Sequence, residues 1–552
     1  MGAVPLNYGS RDGLVVDVAI AGGGVAGLYA AWRLAKSGRR GRDGAPLRLA
    51  VLEATDRIGG RIETVTFPGM PQHRAEFGAM RLASWQKLVL TLAEQLGILV
   101  QPFPMGDEHN FWHLRGKRLY GAELLDPAKV PYALEGWEIG KTPQQLLDHV
   151  AQELLGERPM PADRRAWDEL KVSLRYRGRP AREFGFWNLL ADQLSSEAVS
   201  FVSDAVGFGS MTQNWNAMEA LQLIYSDFGP DVRYVRFASG TDQLTVELAN
   251  GFTASGGEIF CANTVTRVDA GPDGPPGLML AVRNRRTGTQ WQLRAGNVIL
   301  ALPRRAHELL GQPGSLFDPF ELADTDLLEL VSSVHRYPAF KLFLAYEQPW
   351  WRELEISSGR AVTDLPIRQT YYFGVEENER ALLMSSYNDD RAVGYWQGLG
   401  WSERDEPTAP RLQVSGAGGP SEVLVAPPEM IRHAQAQLSR MHGLDVPSPY
   451  LAAYRNWGAP PFGGAWHLWR VNVDSVAVGK RMRRPLPAYN VHVCGEAYSG
   501  IQGFIEGALT STELMLQEQF GLSCPEWLAE DYYLGPRSSE VEPTGRDSVG
   551  NA

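Results

Sequence analysis

The chain has 552 residues, too many for one hydrophobic core, so two or three domains are expected. Its 44% hydrophobic and 21% charged residues fit a globular protein, and a net charge of −11 argues against a polyanion-binding role. Cys261, Cys494 and Cys524 offer neither a metal-ligand spacing nor a disulfide framework; no run reaches the roughly 18 uncharged apolar residues of a membrane span.

Residues 17 to 61 carry the first informative pattern. DVAIAGGGVAGLYAAWRL reads as an apolar strand, a tight glycine turn and a helix. Gly22, Gly24 and Gly27 fill the three glycine positions of a dinucleotide-binding turn: one for the bend, one for backbone approach to a pyrophosphate, one for helix–strand packing. Val25 and Ala26 open the helix, whose free N–H groups favour negative charge. LAVLEATDRIGGR reads as a second strand ending at Glu53, with Ala54 next. The Glu53 carboxylate can accept from ribose hydroxyls and would repel a 2′-phosphate. Gly59 and Gly60 then allow close passage of the chain, and Arg61 offers a planar fork to a phosphate.

Further along, Leu88, Leu92 and Leu96 with Val89 and Ala93 predict a helix, and FWHLRGKRLY predicts a hairpin around Arg115 and Gly116. From about 140 to 228 the period is helical throughout, with Asn214–Trp215–Asn216 supplying a cap before the last helix. Strand patterns resume after 234 and again over 330 to 400, where Lys341 stands in the apolar PAFKLFLAY and Tyr371 and Tyr372 sit in QTYYFG. A lysine there must reach solvent or be paired in a polar cavity, and alternation lets only one tyrosine face a given side. Residues 402 to 428 read as a Pro-, Gly- and Ser-rich surface excursion. VHVCGEAYSGIQGFIEGAL is a last strand, turn and helix, and 536–552 has the composition of a disordered tail.

AGGGVAG, LEATDRIGGR, EFGAMR, NWNAMEAL, YYFG, NWG and CGEAYSGIQGFIEGAL together resemble the flavin-containing amine oxidase superfamily, and within it the L-amino-acid oxidases, over about residues 15 to 530. The resemblance implies an α/β chain (α+β overall): a Rossmann-like FAD-binding domain, a mixed-sheet substrate domain and an inserted helical subdomain. These are expected at 1–84, 232–312 and 465–530, at 85–127 and 313–464, and at 128–231, respectively.

The same resemblance implies FAD as cofactor. Gly78 and Ala79 would lie against the flavin ring, with Met80 and Arg81 completing the segment. Val265 would pair its backbone with the adenine, and Gly495 and Glu496 would meet the ribityl–phosphate region. Gly503, Phe504 and Ile505 would sit at the flavin's carbonyl edge, with the helix beginning near Gln502. NWGAPPFGGAW has no cysteine, so attachment is expected to be non-covalent.

For the substrate, the resemblance implies that Arg81 binds an α-carboxylate bidentately, with Tyr372 favoured over Tyr371 as its second partner. Lys341 would hold a water near flavin N5, while Trp457, Trp466 and Phe504 would wall the site and the Gly503 carbonyl would accept from the amine. The helical stretch LQLIYSDFGPD lacks the histidine that some relatives place there. The expected reaction is oxidation of an L-amino acid, large or aromatic, by O2 to a 2-oxo acid, ammonia and hydrogen peroxide. An amino-acid 2-monooxygenase and a monoamine or polyamine oxidase are the alternatives. A cytoplasmic homodimer with no nucleic-acid, membrane or metal partner completes the expectation, since the N-terminus lacks a secretory pattern.

Overall fold

The apolar run Leu14–Ala21 forms a strand whose last four residues are buried. In this computed structural model, which describes residues 3–538 except 42, 228, 230, 231, 273–276, 320–325, 461 and 462, that strand is the centre of a seven-stranded sheet. Leu49–Leu52 runs parallel to it on one side and Gln290–Leu300 on the other. Glu258–Phe260 extends the parallel set beyond Leu49–Leu52, and Val491–Val493 joins beside the end of Gln290–Leu300. Leu278–Asn284 and Asn263–Ala270 add an antiparallel edge.

Both faces of this sheet are buried, as a parallel sheet requires. Val18, Ile20, Val51 and Ile299 pack under the helices Val25–Lys36, Gln243–Ala254 and Ile505–Phe520. Ala19, Ala21, Leu52 and Leu300 face the opposite cluster with Leu310, Leu327 and Met482. Parallel strands end together at one edge, and the glycine turn leaves from that edge.

A second, nine-stranded sheet runs in the order Arg411–Gly416, Gly419–Val425, Leu451–Asn456, Ala339–Tyr346, Ala381–Asp389, Gln369–Val375, Arg360–Thr363, Trp112–Leu114, Lys117–Leu119. One face packs on helix Pro428–His442 through Phe340, Leu342, Leu344, Met430 and Leu438. The other face carries Lys341 and Phe343. The segment 402–428 is therefore not only a surface excursion: Leu412, Val414 and Val423 alternate inward and outweigh the turn-rich composition. A short third sheet sets Tyr234–Phe237 between Leu82–Ala83 and Val100–Pro102, fixing the backbone next to Arg81.

Five α-helices between Pro143 and Asp227 share one apolar cluster. Thr142 and Gln145 form a reciprocal cap at the first, and the Asn216 side chain accepts from Met218 N at 3.1 Å before the last. Only the two-residue strands Arg175–Tyr176 and Arg179–Pro180 interrupt the helices. Of the expected tail, Ser538 is tied to Glu518 by two hydrogen bonds, and 539–552 lie outside the described residues. Among the described residues no helix is long and apolar enough to cross a membrane.

The glycine turn has no room for a side chain at Gly27, where a Cβ would stand 1.9 Å from the Gly22 carbonyl oxygen. Gly27→Val is expected to lower stability by about 3 kcal/mol or more and to yield protein with little bound flavin. A melting curve and the yellow absorbance of the purified variant check this; unchanged values of both would refute it.

Candidate active site

The glycine turn works by what it leaves open. Gly22 has φ +107°, and its N–H donates to Leu52 O at 2.8 Å. The Glu53 carboxylate accepts from Gly23 N and from the backbone and hydroxyl of Thr55, each at 2.8 Å. It thus braces the turn while retaining lone pairs for a ligand. The helix Val25–Lys36 starts without a side-chain cap, so its first N–H groups are free for an anion. A Cβ on Gly24 would meet only Gly59 O, at 3.9 Å.

These groups open on a cavity of about 290 Å³. Gly22, Gly24, Val25, Ala26, Glu53 and Ala54 line one end, with Val265 from the sheet edge. Gly60, Arg61, Gly78 and Ala79 line the middle. Gly78 is pressed so closely on the turn before Thr64–Thr66 that a Cβ would lie 2.0 Å from Arg61 O. Gly495, Glu496, Gly503, Phe504 and Ile505 close the far side. The last helix starts at Ile505 without a side-chain cap, three residues later than expected. Gly27 and Met80 do not line the cavity: Gly27 packs helix on strand, and Met80 is buried in the cluster of Phe77 and Phe343.

Glu496 is the polar hub of the far side. It accepts from Arg61 Nη1 at 2.7 Å, His467 Nδ1 at 2.8 Å, His467 N at 2.9 Å and Gly503 N at 2.8 Å. Burial opposes its charge, but Arg61 and His467 hold the carboxyl well below the usual range. Burial also lowers His467, whose Nε2 accepts from Arg304 N at 3.2 Å, so the ring is neutral with both nitrogens engaged.

The substrate-facing wall comes from the nine-stranded sheet. Lys341 Nζ donates to Glu76 O at 2.9 Å and Gly78 O at 2.6 Å, and lies 4.5 Å from the Tyr387 ring centre. Lys341, Tyr387, Trp457 and Trp466 all line the cavity. Trp457 is fixed by its indole N–H to Phe77 O at 2.7 Å. Arg81 Nη1 donates to the Tyr371 hydroxyl at 3.2 Å, and its guanidinium lies 5.3 Å from the ring of Tyr234. Arg81 and Tyr371 stand just behind the cavity wall, with the Tyr371 ring 6.4 Å from that of Tyr387.

Tyr372 does not face this wall, and the choice between the two tyrosines is corrected. Its hydroxyl is 2.7 Å from His442 Nε2 in the opposite core, because strand pairing puts Tyr371 opposite Arg360 and Met384 on the Arg81 side. Tyr387 and Arg360 escaped the sequence reading. Both are cross-strand partners of recognised residues (Lys341 and Tyr371), and that pairing becomes visible only in three dimensions.

Comparison with known proteins gives the family. The sequence model of the flavin containing amine oxidoreductase family matches residues 25–513. The chain belongs to that family. This amine oxidoreductase is 27% identical over 381 residues to an L-amino-acid oxidase of Siganus canaliculatus, covering 68% of the chain and 66% of that protein. It is 25% identical over 536 residues to Aplysianin-A of Aplysia kurodai, covering 92% and 91%. Its fold is similar to that of a putrescine oxidase bound to putrescine, with TM-score 0.66, 18% identity and 92% and 99% coverage.

FAD is the cofactor, and the cavity fits it: two uncapped helix starts, a ribose-height carboxylate and backbone free of Cβ atoms where a ring must approach. No cysteine lines the cavity among the described residues.

Burial lowers the Lys341 amine from 10.5 to about 7, against the pull of Glu76. An amine with a folded value below its unfolded one penalises folding while the unfolded chain is protonated. That penalty is full below about pH 7 and fades as pH rises toward 10.5. Lys341→Met should therefore gain most in stability over the parent at or below pH 7, with the difference shrinking toward pH 10. Paired denaturant titrations across pH 6 to 10 test this, and a difference independent of pH would contradict it.

Proposed function

We propose that this amine oxidoreductase is an L-amino-acid oxidase, converting an L-amino acid, O2 and water to the 2-oxo acid, ammonia and hydrogen peroxide. The observation that carries the reading is Arg81: a guanidinium enclosed by Tyr371 and Tyr234, with no carboxylate partner among the described residues. Elsewhere in the fold Arg33, Arg455 and Arg483 each hold one carboxylate by two hydrogen bonds. A half-buried guanidinium without such a partner is suited to an anionic ligand.

Arg81 with the Tyr371 hydroxyl would orient the substrate carboxylate. The bound flavin supplies a two-electron acceptor that passes its electrons to oxygen. Lys341, held by two carbonyls and lowered to about 7, exchanges a proton near neutrality and can position a water at the cavity wall. Trp457, Trp466 and Phe504 line the cavity and would exclude bulk water from the reacting carbon, and the Gly503 carbonyl would accept from the amine. The likeness to putrescine oxidase concerns the fold; a diamine would set a cation near Arg81, which has no acidic partner among the described residues. A 2-monooxygenase would use the same anchor and differ in products, an amide and carbon dioxide.

Arg81→Ala is expected to reduce kcat/KM for L-amino acids by ~30-fold, equivalent to about 2 kcal/mol for a charged hydrogen bond lost. A peroxide assay across L-amino acids reads it. Unchanged kcat/KM would remove the anchor, and an amide product would replace the oxidase with the monooxygenase.

A further inference from the structure

We infer that Arg360 is a second carboxylate anchor and that acidic L-amino acids are the substrates matched to this site, with the α-carboxylate on Arg81 and the side-chain carboxylate on Arg360. The inference rests on the L-amino-acid reading above and adds the side-chain class.

Arg360 pairs across the strands with Tyr371, so both side chains leave the same face of the sheet. Its Nη1 donates to the Tyr371 hydroxyl at 3.3 Å and to Gln369 Oε1 at 2.7 Å. Arg81 donates to the same hydroxyl at 3.2 Å. The two donor nitrogens are thus no further apart than those two contacts laid end to end, within the span of one small dicarboxylate. Neither guanidinium has a carboxylate partner among the described residues. Two like charges so close in a water-poor setting repel each other, and one carboxylate offsets only half of that charge. Tyr371 registers the field: burial pushes its hydroxyl up, yet Arg81 and Arg360 bring it net below its ordinary value.

Arg360 also lines a second chamber, of about 240 Å³, between the strand Trp112–Leu114 and the helical region. Trp112, Phe186, Phe208 and Met211 contribute to its walls, and Arg360 is the one charged residue among its described lining. Phe208 separates this chamber from the flavin cavity, its ring 5.1 Å from Tyr387 and 6.2 Å from Trp466. An amino acid held by Arg81 beside that partition directs its side chain toward Arg360. In apolar surroundings a carboxylate would gain strongly from that single cation. On this proposal a preference for charge would replace the expected preference for large or aromatic side chains.

The test uses the flavin-loaded enzyme and isosteric pairs, L-glutamate against L-glutamine and L-aspartate against L-asparagine. The acid of each pair is expected to show at least a tenfold higher kcat/KM, and Arg360→Leu should lower that ratio at least tenfold, with Arg360→Lys restoring part of it. A ratio near one in the parent, or a ratio unmoved in Arg360→Leu, overturns the proposal. Equal losses for acid and amide also overturn it, since Arg360 would then serve the α-carboxylate. Glutarate and butyrate binding, followed by calorimetry, provides a readout without turnover. If no amino acid is oxidised but glutarate binds more tightly than butyrate, and does so through Arg360, the dicarboxylate site stands while the oxidase reading falls. If glutarate holds no advantage, the site falls. Flavin content and melting temperature establish that each variant is folded.

Discussion

A carboxylate taken out of water is tolerable only when its oxygens are fully engaged, and Glu496 makes the cavity depend on that condition. Its donors come from Arg61, from His467 and from Gly503, and the Arg61 contact spans 435 residues of sequence. Each donor belongs to a different part of the cavity rim: the glycine-rich loop after Glu53, the strand Trp466–Trp469, and the start of the last helix. Withdrawal of any one leaves a buried charge short of partners. The rim is therefore held as a unit, and His467 passes the constraint on to Arg304 N.

The two ends of the cavity are built on opposite electrostatic terms. Along the cofactor groove, carboxylates are satisfied by close donors: Glu53 by Gly23 and Thr55 at the nucleotide end, Glu496 by Arg61, His467 and Gly503 on the far side. Beyond the ring-binding region, Arg81 and Arg360 share a tyrosine hydroxyl and have no carboxylate partner among the described residues, while Lys341 rests on two carbonyls under the pull of Glu76. A chain with a net charge of −11 thus carries a locally positive recess. A small anion entering it gains interactions in a low-dielectric setting that surface lysines could not supply.

The nucleotide end was legible in the sequence because glycine spacing reports a steric fact. Gly22 needs a positive φ, and Gly27 has no room for a Cβ. The helix cap at Asn216 was readable for the same local reason. The substrate end was less legible. Alternation says that Tyr371 and Tyr372 point apart, but which one meets Arg81 depends on pairing with Arg360 and Met384 and on an irregularity between Tyr372 and Gly374. Tyr387 and Arg360 gain meaning only opposite Lys341 and Tyr371. The hairpin within 411–425 was obscured by Gly and Pro, whose turn signal hid a short alternating pattern.

The late position of helix Ile505–Phe520 has a consequence for biogenesis. Glu506 accepts from Leu88 N and Val89 N, capping the helix that follows Arg81, and Glu513 holds Arg33 and Tyr29 of the first helix. Two N-terminal helices thus lack their partners until residues 505–520 have been made. The cavity walls near Gly22 and Gly78 cannot close around a cofactor before then, however early the glycine turn emerges. Flavin capture waits for that helix, and a chain stopped short of residue 505 emerges with its nucleotide turn exposed and its first helix unpartnered.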